Sequence, residues 1–293
     1  ASVMFIAVVG DDSAGRDLAA MLGAEPAVAP SLLVEAGRPS TIKTRYIANA
    51  QQLLRADSET ERPINDQSAA EVVRLAAGAM ASCDAMLLSD YAKGVLAPDT
   101  VARLIAIAKD AGKPVVIDPK GGDFARFRGA TAITPNRREA AAASGLPDDP
   151  SDGAAAAMGA ALIERFGVEA AVITRGDRGM SLITPEAEPQ HLPADAREVY
   201  DVSGAGDTVA ALFALSLGAG LAISDAAKLA NLAASVVVGK VGTAVVYEGD
   251  LLRADQADAG SPAEAKVMAL SGIVDAVERW RRESLRIGFT NGC

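Results

Sequence analysis

Histidine is almost absent from this chain: His191 is alone in 293 residues, and the two cysteines, Cys83 and Cys293, lie far apart. That scarcity argues against a zinc centre of His and Cys and against a disulfide framework, so a reducing cytoplasm is the expected compartment. Basic residues are also short, 28 against 38 acidic ones, for a formal net charge of −10. Nucleic acid and anionic membranes both reward a basic face, so neither is expected as a partner. No apolar run reaches the roughly 18 residues that cross a bilayer, and no basic segment precedes the apolar stretch at the N-terminus. An anionic substrate remains open, provided that Lys, Arg or backbone N–H groups gather locally.

What the chain does have is rhythm. Residues 3–9 form a continuous β-rich run, followed by Gly10-Asp11-Asp12 and a helical pattern to Leu22. Strand-like runs at 86–88, 114–117, 130–134 and 170–174 alternate with helical patterns at 98–111 and 153–166. Uninterrupted Val/Ile runs separated by helices predict a parallel sheet covered on both faces. Two regions depart from this. Residues 41–57 alternate polar and apolar positions, which predicts an exposed antiparallel pair standing off the sheet. Residues 201–220 begin in a glycine turn and continue as an apolar helix, with a second such helix at 224–238. Residues 255–262 read as a linker before a helix at 264–283.

The turn Ser203-Gly204-Ala205-Gly206-Asp207 carries the strongest chemical signal. Two glycines one residue apart bend the backbone sharply and present successive N–H groups at the positive end of the following helix, an anion hole. Asp207, inside that field, is placed to accept a proton from a hydroxyl, and the pair suits phosphoryl transfer. A plain helix entry that binds nothing explains the same residues. A dinucleotide loop fits less well, because Val209 stands where the third glycine belongs and a helix rather than a strand follows. A Walker loop fails for want of its Gly-Lys-Ser/Thr ending.

The stretch from Asp201 to Asp207 resembles the signature of ribokinase-like (PfkB-type) carbohydrate kinases, with Ser203 where Thr is more usual. The heptose-7-phosphate kinase branch is similar over nearly the whole chain. The matching stretches are Lys43-Thr44-Arg45, 49–57 (NAQQLLRAD), 88–94 (LSDYAKG), 117–121 (IDPKG), 134–139 (TPNRRE), 174–180 (TRGDRGM) and 238–243 (VGKVGT). The resemblance implies an α/β three-layer fold, with a mostly parallel central sheet flanked by helices and a small β lid near 41–57. It places a kinase domain over 1–254, a linker and helix over 255–283, and the start of a truncated nucleotidyltransferase domain over 284–293. It also implies that the front strands of the family precede residue 3 and are missing.

Roles follow from the same resemblance. Asp207 would be the catalytic base for the C1 hydroxyl of D-glycero-β-D-manno-heptose 7-phosphate, and Gly204, Ala205 and Gly206 the phosphate donors. ATP and Mg²⁺ would meet Asn136, Arg137, Arg138, Glu139, Thr174, Gly176, Gly179, Asn231, Lys240 and Gly242. The sugar phosphate would meet Lys43, Arg45, Gln51, Arg55, Asp90, Tyr91, Lys93 and Lys120. Bland readings stand beside these: Asn136 and Glu139 as a capping box, the 174–179 segment as a hairpin turn, the cations as a solvated rim. Asp118 reads as capping its strand or holding Lys120, and His191 as packing. The lid strands, with exposed edges, predict a homodimer. Another PfkB-type sugar kinase, or an inactive dimerising fragment, is the alternative.

Overall fold

A computed structural model describes residues 1–48, 51–194, 202–240, 242–259, 273, 274, 277 and 288, with the side chains of Ile47, Gln51, Gln52 and residues 256–259 left aside. Its elements are β1 (Val3–Gly10), α1 (Ser13–Gly23), β2 (Val28–Glu35), β3 (Ile42–Ala48), β4 (Gln51–Ser58), α2 (Asp66–Met80), β5 (Met86–Ser89), α3 (Pro98–Asp110), β6 (Val115–Asp118) and β7 (Ala132–Ile133). Then come α4 (Arg137–Ser144), α5 (Asp152–Phe166), β8 (Ala170–Thr174), β9 (Met180–Thr184), β10 (Ala187–Leu192), α6 (Ala205–Gly218), α7 (Ile223–Val238) and α8 (Glu248–Ala259). Residues 1–245 form one compact unit and residues 246–293 a second.

A six-stranded sheet in the order β10-β9-β8-β7-β6-β5 organises the first unit. Strands β5 to β8 run parallel, while β9 and β10 fold back antiparallel. Side chains along a strand alternate between faces, and two cores result. Val115, Ile117, Ile133, Ala171 and Ile173 pack on one side with Phe124, Phe127, Met158 and Leu162. Val116, Ala132, Ala170 and Val172 pack on the other with Val209, Phe213 and the alanines of α7. Helices α2, α3 and α5 therefore cover one face, α6 and α7 the other, which gives the three layers expected. Alanines 226, 227 and 230 are fully buried, so α7 packs close to its neighbours without bulky side chains.

Two smaller sheets complete the unit: β1 pairs parallel with β2, and β3 pairs antiparallel with β4. The second is the predicted lid. Its register sets Ile42, Thr44 and Tyr46 opposite Ser58, Ala56 and Leu54, and Lys43 and Arg45 opposite Asp57 and Arg55. One face is thus largely apolar and the other charged. The apolar side chains Ile42, Tyr46 and Leu54 are all exposed.

At the far end the observed elements differ from the sequence reading. Asp255–Ala259, expected as linker, is the last part of α8, and the boundary between units falls after Val245 rather than near 254. The acidic, alanine-containing stretch carries no glycine or proline to stop the helix. The segment 284–293, apart from Gly288, lies outside the described residues, as do Asp201 and most of 264–283.

Candidate active site

The carboxyl ends of β5, β6, β7 and β8 converge on one edge of the sheet, where open α/β sheets bind ligands. Each strand delivers polar residues there as its apolar run ends: Ser89-Asp90-Tyr91, Asp118, Asn136 and Thr174. Asn136 and Thr174 sit side by side through a parallel bridge, and the Thr174 N–H donates to Pro135 O at 3.0 Å.

Helix α6 begins at this edge. Gly204 caps it in the left-handed region (φ 82°), and no side chain caps the helix. A side chain at 204 would be strained there and would press on Thr243, whose Cγ2 lies 3.2 Å from where a Cβ would stand. The loop holding Lys240 and Gly242 therefore reaches the turn through Thr243. The Ala205 N–H turns back to Val202 O at 3.3 Å, and the first helical bond is Thr208 N–H to Gly204 O at 2.9 Å. Among the described residues the N–H groups of Gly206 and Asp207 have no acceptor, and a Cβ at Gly206 would meet open space. These donors lie open at the positive end of a 14-residue helix, a place where negative charge is stabilised.

Asp207, in the first turn of α6, is exposed. Its Oδ1 accepts a hydrogen bond from the Tyr91 phenol at 2.6 Å. Burial, then the hydrogen bond to Asp207, pushes the Tyr91 phenol up to about 12. Asp118 completes this acidic corner. Burial first, and the charge of Asp207 second, push its carboxyl up to about 7, while the Thr134 hydroxyl at 3.2 Å opposes the shift. Of the two sequence readings of Asp118, capping its strand or holding Lys120, the second is corrected here: the Lys120 ammonium lies 2.8 Å from Glu139 Oε1.

Glu139 and Asn136 close the start of α4. Asn136 Oδ1 accepts from the Glu139 N–H at 3.0 Å, and Glu139 Oε2 accepts from the Asn136 N–H at 3.1 Å, a complete capping box. Arg137 is held by Asp148 at 2.9 Å, whereas Arg138 points to solvent. Gly176 and Gly179 sit in the turn between β8 and β9, both at positive φ. Asn231 is farther along, donating to Pro193 O at 2.8 Å, and Lys240 donates to Val245 O at 2.8 Å.

The residues expected on the sugar divide into two groups. Asp90 is buried, and its carboxylate is taken by Arg126 at 2.5 Å and by the Ala92 N–H at 2.9 Å, so it builds the turn rather than facing solvent. Lys93 reaches Glu59 at 2.6 Å and Glu61 at 3.2 Å, and Lys43 reaches Glu59 at 2.7 Å. Hydrogen bonds from those two lysines hold Glu59 below the usual carboxylate range. This triad fastens the charged face of the lid to the turn that bears Tyr91. Arg55 leans on Asp57 at 3.0 Å, and across the ladder from it stands the exposed Arg45. The Gln51 side chain lies outside the described residues. Arg126 carries no local signal in the sequence, since its partner Asp90 is 36 positions away.

Comparison with known proteins fits this geometry. The chain matches the pfkB family carbohydrate kinase over residues 1–248. It is 50% identical to the bifunctional protein HldE of Acidiphilium cryptum over 297 aligned residues, covering 100% of this chain and 60% of the relative. It is 46% identical to HldE of Paramagnetospirillum magneticum, covering 99% and 59%. The chain thus spans about 60% of the length of these curated relatives. Among solved structures, phosphofructokinase-2 from Escherichia coli in complex with potassium superposes with TM-score 0.73 at 16% identity, over 86% of this chain and 81% of that one. Ribokinase from Arabidopsis thaliana, complexed with ribose and ATP, gives 0.66 at 20%, with the same coverage. With the sequence match running through the lid, the strand ends and the glycine turn alike, the chain belongs to the pfkB family of carbohydrate kinases.

Proposed function

We propose that this chain phosphorylates the C1 hydroxyl of D-glycero-β-D-manno-heptose 7-phosphate with ATP, giving the 1,7-bisphosphate on the way to ADP-heptose and the lipopolysaccharide core. The observation that carries the reading is the exposed Asp207 carboxylate set one residue beyond the open N–H of Gly206. The choice of sugar within the family is supported by the similarity to HldE along the whole chain.

The γ-phosphoryl group of ATP rests against the open donors of the turn, the N–H groups of Gly206 and Asp207, the Ala205 N–H being taken by Val202 O, while the sugar hydroxyl approaches the Asp207 carboxylate. Asp207 takes the hydroxyl proton, the C1 oxygen bonds to the γ-phosphorus, the bond from that phosphorus to the bridging oxygen breaks, and ADP departs. Fixed donors at the helix start hold the charge on the moving group without reorganising.

Among the described residues no three of His, Cys, Asp and Glu gather around one point. Mg²⁺ would arrive with ATP and keep several of its waters, and Asn136 and Glu139 would meet that water shell. The ion supplies neutralisation of phosphate charge. Arg45 and Arg55 stand directly across the ladder, Arg55 compensated by Asp57 and Arg45 exposed, so Arg45 is the cation left to meet the sugar 7-phosphate. The apolar face of the lid, with Ile42, Tyr46 and Leu54 exposed, is covered in a homodimer by the lid of a second copy. The compartment is the cytoplasm, where ATP and reduced thiols are found.

An ADP-release assay with heptose 7-phosphate and with unphosphorylated sugars tests the reading. Turnover should require the 7-phosphate. Equal turnover of a neutral sugar would make this a different pfkB sugar kinase.

A further inference from the structure

The Tyr91 ring is about half exposed, yet its hydroxyl is not free for a ligand: it donates to Asp207 Oδ1 at 2.6 Å. The turn that carries it is unusually constrained. Ala92 is the only non-glycine at positive φ (55°) among the described residues. Its N–H is held by Asp90, Asp90 is held by Arg126, and Arg126 also donates to Leu96 O and Lys120 O at 3.2 Å. Next along, the Lys93 carbonyl accepts from the buried Arg38, and the Gly94 carbonyl accepts from the Ile64 N–H at 3.0 Å. A loop that only stacked a ring on a sugar has no need of a strained residue bolted from both sides.

We propose that Tyr91 is a positioning residue for the base: its O–H occupies one oxygen of Asp207 and fixes the carboxylate so that the other oxygen meets the acceptor hydroxyl. The inference rests on the assignment of Asp207 as the general base. Among the described residues the second oxygen, Oδ2, has no donor. The proton balance is simple. The acceptor proton moves to Oδ2, and Tyr91 keeps its own proton throughout, since its phenol ionises only at about 12.

Two readouts test this on the full chain. Tyr91→Phe keeps the ring and deletes the donor, and it should lower kcat for heptose 7-phosphate about ten- to a hundredfold with both KM values within about twofold. The second readout needs no sugar. Near-ultraviolet titration of the unaltered chain minus Tyr91→Phe isolates the Tyr91 phenol, which should remain protonated at about pH 10.5, where an ordinary phenol is mostly ionised. In the Asp207→Asn background the same difference should titrate at lower pH than in the unaltered chain, while burial still holds it above an ordinary phenol. A Tyr91 titration unchanged by Asp207→Asn would overturn the hydrogen bond, whatever the substrate. A titration that moves as expected, with Tyr91→Phe raising KM alone, would make Tyr91 a sugar contact and overturn the positioning role. If the titration moves but the unaltered chain turns over no sugar, the kinase reading falls and takes the role of Tyr91 with it.

Discussion

Two helices start at the same edge of the sheet, and they start differently. Helix α4 is sealed: Asn136 and Glu139 satisfy each other's backbone N–H, and Glu139 also holds Lys120. Helix α6 is left open, with a left-handed glycine as cap and, among the described residues, no side-chain hydrogen bond to the N–H groups of its first turn. A capping side chain stabilises a helix start by about 1 kcal/mol and takes up its donors in doing so. The chain forgoes that stabilisation at α6, and the donors it leaves bare lie one residue from an exposed carboxylate. On the proposed reading, the sealed start builds the floor of the site and the open one carries the chemistry.

Substitutions at the two starts should therefore diverge. Gly206→Asp places a carboxylate in the open turn, where a Cβ has room. An acid in a first helical turn is worth a few tenths of a kcal/mol to stability. The same charge should weaken ATP binding at least about a hundredfold, read by calorimetry, while thermal unfolding holds or rises. Equal loss of both would show that the open turn is structural.

Asp118 sharpens the contrast, because it lies between the two starts and feels Asp207. Its carboxyl has an ordinary value of 3.8 and is pushed to about 7 in the fold. Folding therefore takes up a proton between those values, so this contribution to stability is complete below about pH 4 and lost as pH rises through about 7. Asp118→Asn should remove that dependence and stabilise the chain by about 2 kcal/mol at pH 8, less than the full shift implies because the amide is itself desolvated. A denaturant series at pH 5 and pH 8 measures it, and an identical pH slope in the variant contradicts the burial of Asp118.

At the sealed start, Asn136→Ala should cost about 1 kcal/mol of stability and change ATP affinity only a few-fold. A hundredfold loss of ATP affinity would move Asn136 from floor to ligand. The smallest effect is expected at Ala92→Gly, where relief of about 1 kcal/mol at a left-handed residue is nearly offset by the added freedom of the unfolded chain. Unfolding should barely shift, and a loss above about 2 kcal/mol would mean that the Ala92 methyl is itself packed.

Much of this was legible from local pattern. The Val/Ile runs of β6 and β8 read as strands buried on two faces, and the glycine pair before an apolar stretch marks the sharp entry to α6. The alternation through Lys43, Thr44, Arg45 and Tyr46 marks the lid. Other features have no local signature. Strand β2 contains Pro30 and Ser31, which interrupt its apolar pattern and are tolerable because, among the described residues, it pairs with β1 alone. The ion pairs Lys93–Glu59, Lys120–Glu139 and Arg126–Asp90 join positions 34, 19 and 36 residues apart, and chain folding alone brings them together. That is why Lys43, Lys93 and Lys120, read as a phosphate-binding rim, are found tied to carboxylates, and why Tyr91 is found on Asp207 rather than standing alone.

The most direct measurement is ADP release from ATP and heptose 7-phosphate by the unaltered chain and by Asp207→Asn, with ATP affinity followed in parallel. Asparagine keeps the shape of aspartate and takes no proton, so turnover should fall about a thousandfold while ATP binds within a few-fold of its original affinity. Undiminished turnover in Asp207→Asn would contradict the account.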